Sequence, residues 1–361
     1  MRRISRKFLF LLSFIGLGLV VLLMKNYVER LDIRSNLFSD HLLSSTKIDG
    51  ESFPITLTDP VGETYLLKQV PQRIVSVTLG TDEILSALLF SSNQKASNLI
   101  TTASISKNST DSKGLAEQGL SLGNIVAVTR FVDEPSSSSI PNFYPKTIKR
   151  VSGGIEEILA LEPDLAFVAG YTRAETVRLL LGAGIPVVRL THYDTFEQIK
   201  QNIKLVAAVT GTSEKAKVLL RNLDAKLIKI QEKIHNSSRP RVLFYNLSGY
   251  TSGAGTRIDE TISIAGGYNV LHDTGIEGNY KISDEMAIGL EPDIILLTGN
   301  AVDEHTSPAK MLMSRSAWQN VPAVLNQRVY QVSGPWILSV SHYGWDGIEI
   351  LAKLIHPEVF D

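Results

Sequence analysis

Glu156-Glu157-Ile158-Leu159-Ala160-Leu161-Glu162-Pro163-Asp164 is answered 129 residues later by Glu285-Met286-Ala287-Ile288-Gly289-Leu290-Glu291-Pro292-Asp293. Both copies run on into apolar strands, Leu165-Ala166-Phe167-Val168 and Ile294-Ile295-Leu296-Leu297, and Gly170 matches Gly299. Proline cannot continue a helix, so each copy reads as a short helix, a Pro-Asp turn and a buried strand. Recurrent turn chemistry accounts for Pro163 and Pro292. It does not account for a glutamate seven residues before each proline, at the far end of the helix. Stabilisation of the helix dipole by a first-turn carboxylate is one reading of Glu156 and Glu285. An internal repeat of this kind predicts two equivalent βα halves.

Around the first copy, strand-like runs over 125–128, 165–168 and 186–190 alternate with helical runs over 156–161 and 174–181. Such alternation predicts a parallel sheet covered on both faces, an α/β fold. Upstream, Ile74-Val75-Ser76-Val77 is a buried-strand run that stops at Gly80. Thr81 is placed to cap the next helix, with Asp82 and Glu83 at its positive end. Runs over 55–59 and 63–68 around Pro60 and Gly62 predict an opening hairpin. Residues 91–121, rich in Ser, Thr, Asn and Lys, read as an irregular insertion. Between the copies, Thr195 and Gln198 form a capping-box signature for a helix that ends near Val209. Over 213–235, Ala216, Leu219, Leu220, Leu223, Leu227, Ile230 and Ile234 recur at helical steps. They predict one amphipathic helix about 34 Å long, placed as a rigid spine between the two halves. Arg241-Val242-Leu243-Phe244-Tyr245 opens the second series.

The chain has 361 residues and 43% hydrophobic content, enough for two compact lobes. Its 36 basic and 37 acidic residues leave a formal charge of −1, so no global cationic field exists to hold nucleic acid. Zero cysteines exclude disulfides, thiolate zinc sites, iron–sulfur clusters and acylation at an N-terminal cysteine. Arg2, Arg3, Arg6 and Lys7 precede an apolar run over 8–24. At about 1.5 Å per residue this run reaches roughly 25 Å, the lower limit for spanning a bilayer. A cleaved signal and an uncleaved anchor would both export the chain beyond Tyr27. No small-x-small cleavage site lies close after the run, which favours the anchor, with 28–52 as a partly mobile tether.

The run over 72–88, the two copies of the repeat and the long helix, in this order across 55–361, resemble the ABC substrate-binding proteins of the vitamin B12 and ferric-siderophore family. The resemblance implies a class III periplasmic-binding fold: two βα lobes with parallel sheets joined by a single long rigid helix, here preceded by an N-terminal membrane segment. The corresponding divisions are 1–27 membrane segment, 28–70 tether and hairpin, 71–194 N-terminal lobe, 195–236 interlobe helices and 237–361 C-terminal lobe. In that family a glutamate on each lobe pairs with arginines of the permease dimer, and the matching positions are Glu156 and Glu285. Charge-assisted, bidentate carboxylate–arginine pairs suit such docking. Glu157 and Asp284 are neighbouring alternatives that spacing does not rank.

Ligand contacts in this architecture belong on loops at the carboxyl ends of the strands. The segment Val126-Ala127-Val128-Thr129-Arg130-Phe131-Val132-Asp133-Glu134-Pro135 resembles the family loop that offers an aromatic side chain to a corrinoid, which puts Phe131 in that place. Tyr250-Thr251-Ser252-Gly253-Ala254-Gly255-Thr256 resembles the second such loop, with Tyr250 as its aromatic. The Walker Lys-Ser/Thr is missing there, so Gly253 and Gly255 serve the turn rather than a nucleotide. Tyr280, Trp336, His342 and Tyr343 lie on further candidate loops, and Arg130 or Arg173 suits a ligand carboxylate or phosphate. The sequence Ala169-Gly170-Tyr171 departs from cobalamin binders that place a tryptophan after this strand. Seven dispersed histidines contain no His-x-x-x-His pair. A chelated metal is therefore expected over a bare ion: a ferric siderophore, haem or cobalamin, with no resident cofactor. No serine-hydrolase, glycosidase or metalloprotease signature is present. The rival to a non-enzymatic receptor is a tethered chelatase or reductase on a related fold.

Overall fold

The computed structural model describes residues 45–50, 52–89, 120–298 and 307–360. Strands β1 (Lys47–Asp49), β2 (Ile55–Thr58) and β3 (Thr64–Leu67) form an opening antiparallel sheet. The first βα series comprises β4 (Ile74–Ser76), α1 (Leu79–Leu89), β5 (Ile125–Thr129), β6 (Lys149–Val151), α2 (Ile155–Leu159), β7 (Leu165–Ala169), α3 (Ala174–Gly182) and β8 (Val187–Leu190). Its five strands are parallel, in the order β6-β5-β4-β7-β8. Helices α4 (Phe196–Val209) and α5 (Ser213–Ile234) lead to the second series.

That series begins with β9 (Arg241–Tyr245), β10 (Tyr250–Ser252), α6 (Arg257–Ile264), β11 (Tyr268–Asn269), β12 (Asn279–Lys281), α7 (Asp284–Gly289) and β13 (Ile294–Leu297). It continues with α8 (Pro308–Met313), α9 (Pro322–Leu325), β14 (Val329–Gln331), α10 (Gly334–Ile337), α11 (Gly344–Ile355) and α12 (Pro357–Phe360). Four strands form a second parallel sheet, β11-β9-β13-β14, while β10 and β12 pair as a separate antiparallel ribbon.

The period of two along each strand divides the side chains between faces. In the first sheet Ile74, Leu165, Phe167 and Val188 enter one core, and Val75, Ala166, Val168 and Val187 enter another. The second sheet divides in the same way: Val242, Phe244, Ile294 and Leu296 on one side, Leu243, Tyr245, Ile295 and Leu297 on the other. One cluster contains a face of both sheets together with buried residues of α4, α5 and α11, so the two halves share apolar core through these helices. Each fully buried Val, Leu or Ile contributes about 1.5–3 kcal/mol. The polar side of α5 is also tied down. Lys226 binds Asp346 and, at 2.7 Å, Glu349 of α11. Hydrogen bonds from Lys226 and then Lys353 draw the Glu349 carboxyl down to about 2.

Several expectations need correction. The cap of α1 is Thr78, whose Oγ1 accepts from the Thr81 amide at 3.2 Å, so the helix starts before Thr81. Asp82 and Glu83 are consequently turned into the interior and are buried. The end of the expected tether is folded: β1 pairs with β2, and Thr46 Oγ1 accepts from the Arg189 amide at 2.8 Å while donating to the Val187 carbonyl at 3.2 Å. Tyr280 stands on β12 and Tyr250 on β10, on a β-ribbon rather than on loops. The apolar run 8–24, the tether over 28–44, insertion residues 91–119 and Gly299 lie outside the described residues. Among the described residues no helix is long and apolar enough to cross a membrane.

Candidate functional site

The repeat is a structural unit built twice. Beyond α2 and α7, Glu162 and Glu291 both take the left-handed conformation, at φ 45° and 46°, just before their prolines. Such a residue past the helix end reverses the chain. The next aspartate locks the turn to the strand that starts each sheet. Asp164 accepts from the Gln72 and Arg73 amides at 2.7 and 2.8 Å, and its own amide donates to the Arg73 carbonyl at 3.0 Å. Asp293 accepts from the Arg241 amide at 2.8 Å and donates to the Arg241 carbonyl at 2.9 Å. The arginine side chains close the loop on the helix end: Arg73 reaches the Leu161 and Glu162 carbonyls, and Arg241 reaches Leu290. The turn thus accounts for the aspartate and for the chain reversal at the residue before each proline.

The glutamates at the helix starts are not used in this way, and the geometry separates them from their neighbours. Glu157 Oε1 accepts from the Ser152 and Gly154 amides at 2.6 and 2.8 Å, capping a helix whose N-cap residue, Gly154, has no side chain. Asp284 accepts from the Tyr245 hydroxyl at 2.6 Å, Arg315 Nη1 at 3.0 Å and Trp318 Nε1 at 3.3 Å. The Tyr245 hydroxyl in particular holds the Asp284 carboxyl below the usual carboxylate range. Glu156 and Glu285 are both exposed. The Glu285 carboxyl is lowered by its own amide and then by the Ser283 hydroxyl, both within its own helix start.

Aromatic side chains stand in several separate local groups. Phe131 stands on the 3₁₀ turn Arg130–Asp133 just after β5, with the Arg130 guanidinium 5.0 Å from its ring centroid, and it remains 47% exposed. Tyr171 after β7 and Tyr193 after β8 meet edge to face at 6.4 Å. Sequence reasoning did not select this pair as ligand contacts, although both follow a strand as Phe131 does. Arg173 is exposed at the start of α3. In the second half, Tyr250 and Tyr280 are both more than half exposed, and Lys281 Nζ lies 5.7 Å from the Tyr250 ring. Gly253 is required there, because a Cβ would meet the Ile276 carbonyl oxygen at 2.2 Å, and Gly255 turns the chain at φ +74°.

Trp336 on α10 and Tyr343 at the start of α11 meet edge to face at 5.4 Å, with the His342 ring 4.1 Å from Tyr343. Burial pulls the His342 imidazole down to about 4, so it is neutral near pH 7, and its buried Nδ1 has no hydrogen-bond partner among the described residues. Burial, then the charges of Glu83 and Asp346, pushes the Tyr343 phenol up to about 12. Among the described residues no group of three or more His, Asp or Glu is arranged to hold a metal ion. A cavity of about 440 Å³ lined by Leu122, Ile125, Lys149 and Leu161 lies at the amino ends of β5 and β6, away from these aromatics.

A Bacillus subtilis protein named as an uncharacterized ABC transporter substrate-binding lipoprotein is 25% identical over 337 residues, covering 89% of this chain and 92% of its own length. A cobalamin-binding protein of Halobacterium salinarum is 26% identical over 60% of this chain and 58% of its own. The same fold is found in a periplasmic binding protein of Veillonella parvula, with TM-score 0.65 at 17% identity over 87% of this chain and 99% of that one. It is found again in the Haemophilus influenzae molybdate-binding protein MolA, with TM-score 0.62 at 20% identity over 84% and 92%. Together with the two parallel sheets, a match over residues 74–334 establishes that this chain belongs to the periplasmic binding protein family.

Proposed function

We propose that this protein is the extracytoplasmic solute receptor of an ABC importer, without catalytic activity of its own, and that it captures a metal chelate: a ferric siderophore, haem or cobalamin. The observation that carries the ligand class is a set of aromatic groups: Phe131 beneath Arg130 and Tyr171 with Tyr193 after strands, Tyr250 beneath Lys281 and Tyr280 on the β10–β12 ribbon, and Trp336 with Tyr343 at α10 and α11. Aromatic faces stacked with cations suit a broad planar or catecholate ligand with peripheral carboxylates. Relatives named for cobalamin and haem are compatible with that class, and a relative named for molybdate marks the smaller alternative. The two halves act as lobes joined by α5, and they deliver the ligand to a permease dimer whose arginines receive Glu156 and Glu285. The Bacillus relative is named a lipoprotein, and this chain has no cysteine to acylate. The apolar run 8–24 then serves as its membrane anchor.

Titration of the full chain in detergent with cyanocobalamin, haemin and a ferric catecholate siderophore tests the ligand class. One of the three is expected to quench tryptophan emission saturably and to raise the melting temperature. Tight molybdate binding with no response to the chelates overturns it. For docking, the double substitution Glu156→Arg and Glu285→Arg is expected to leave ligand affinity unchanged and to abolish uptake in cells. Normal uptake by that variant rules the glutamates out.

A further inference from the structure

Glu83 is only 1% exposed, and its carboxylate is surrounded by donors from two distant parts of the chain. Oε1 accepts from the Ser139 amide at 3.0 Å. Oε2 accepts from the Ser339 hydroxyl at 2.9 Å and the Ser341 hydroxyl at 2.6 Å, 256 and 258 residues further along. Hydrogen bonds to an ionised, desolvated carboxylate are among the stronger ones in a protein. Burial raises the Glu83 pKa, and the bonds from Ser341, Ser139 and Ser339 oppose that rise.

Ser339 and Ser341 belong to the segment 333–343 beyond β14. The Ser341 hydroxyl that binds Glu83 also accepts from the Tyr343 amide at 3.3 Å, and the Tyr343 ring meets Trp336. Around Glu83 the same segment is held to the first half at further points. The Ser139 hydroxyl donates to the Pro335 carbonyl at 2.9 Å, and Gly80 lies so close that a Cβ there would meet a Val340 methyl at 2.6 Å. From the second half, Arg257 Nη2 donates to the Ile337 carbonyl at 2.7 Å. The segment is therefore fastened by a buried acid of one half and a buried base of the other, and it carries three ring side chains of the candidate site.

We infer that Glu83 is a positioning residue of the ligand site: it holds Ser339 and Ser341, and through them sets the placement of Trp336, His342 and Tyr343 without touching the ligand. The inference rests on the receptor reading for its effect on affinity, but not for its effect on the rings. Of the three tryptophans, Trp318 and Trp345 are fully buried, so collisional quenching by acrylamide reports on Trp336.

The experiment uses the full chain in detergent as wild type, Glu83→Ala, Glu83→Gln and Ser341→Ala. Glu83→Ala is expected to raise the acrylamide quenching constant well below its melting temperature. It is also expected to weaken binding of whichever probe the wild type takes, cyanocobalamin, haemin or a ferric catecholate, by about tenfold. Glu83→Gln keeps its carbonyl oxygen as acceptor for the Ser139 amide and turns its NH2 to the two hydroxyls, which can accept from it, and is expected to recover much of both effects. Ser341→Ala provides the same readout if Glu83→Ala does not fold. A lowered melting temperature with unchanged Trp336 quenching means that Glu83 serves stability alone, and this overturns the inference. If the wild type takes none of the probes, the chelate reading fails and the quenching comparison still decides the role of Glu83.

Discussion

The two copies of the helix–turn–strand unit agree at the turn and differ at the helix start. At the turn both use a left-handed glutamate, a proline, an aspartate bound to a strand amide and an arginine bound to the helix-end carbonyls. At the helix start the first copy is capped by Glu157, whereas the second is capped by Ser283, whose Oγ accepts from the Met286 amide at 3.2 Å, with Asp284 tied to Tyr245, Arg315 and Trp318. Two different local solutions leave the same thing facing solvent: an exposed glutamate one residue from the committed acid. The turn is a requirement of the fold, met in the same way twice. The exposed carboxylate takes no part in that turn.

Removing the support that only the second copy has should produce the largest effect. Trp318 is fully buried and packs on Tyr245 at 5.6 Å. Trp318→Ala is expected to lower unfolding stability by about 3–5 kcal/mol in urea titrations. A loss below about 1 kcal/mol would mean that the second core collapses to fill the space.

The shared turn lock should respond alike in both halves. Asp164→Ala and Asp293→Ala each strip the acceptor from a strand-start amide, at an expected cost of about 1–3 kcal/mol. The two locks share no partner, so the double variant should lose the sum within about 0.5 kcal/mol. A strongly non-additive double variant breaks the picture of two independent locks.

The smallest expected effect separates the helix starts by acidity. The pKa of Asp284 is lowered in the folded protein, so ionised Asp284 stabilises the fold above the ordinary aspartate value near 3.8, and that contribution is lost as pH falls through the lower folded value. Hydrogen exchange in α7 should therefore accelerate in acid below about pH 4. Asp284→Asn should abolish that step. A step that persists in the variant belongs to another group.

Much of the fold is legible in the sequence because its signals are local. The capping box at Thr195 and Gln198 appears as read, with Gln198 N donating to Thr195 Oγ1 at 3.2 Å. The helical steps over 213–235 give α5, and the β-branched runs give the central strands. Legibility failed where a local rule had two adjacent answers. Thr78 and Thr81 both suit a cap, and choosing Thr81 read Asp82 and Glu83 as first-turn acids, whereas both are buried. Tyr171 and Tyr193 went unselected because their pairing joins the ends of two neighbouring strands.

By itself the sequence determined that the chain is two βα series of one kind, since proline, turn and strand signals act over a few residues and were written twice. Only the tertiary structure decided which carboxylates are committed and which face solvent. Glu157 caps its helix and Asp284 holds Tyr245, while Glu156 and Glu285 are exposed, and Glu83 grips serines 256 and 258 residues away. Partners so far apart in the chain leave no periodicity to read, and burial, which makes such a bond strong, exists only once the chain has closed.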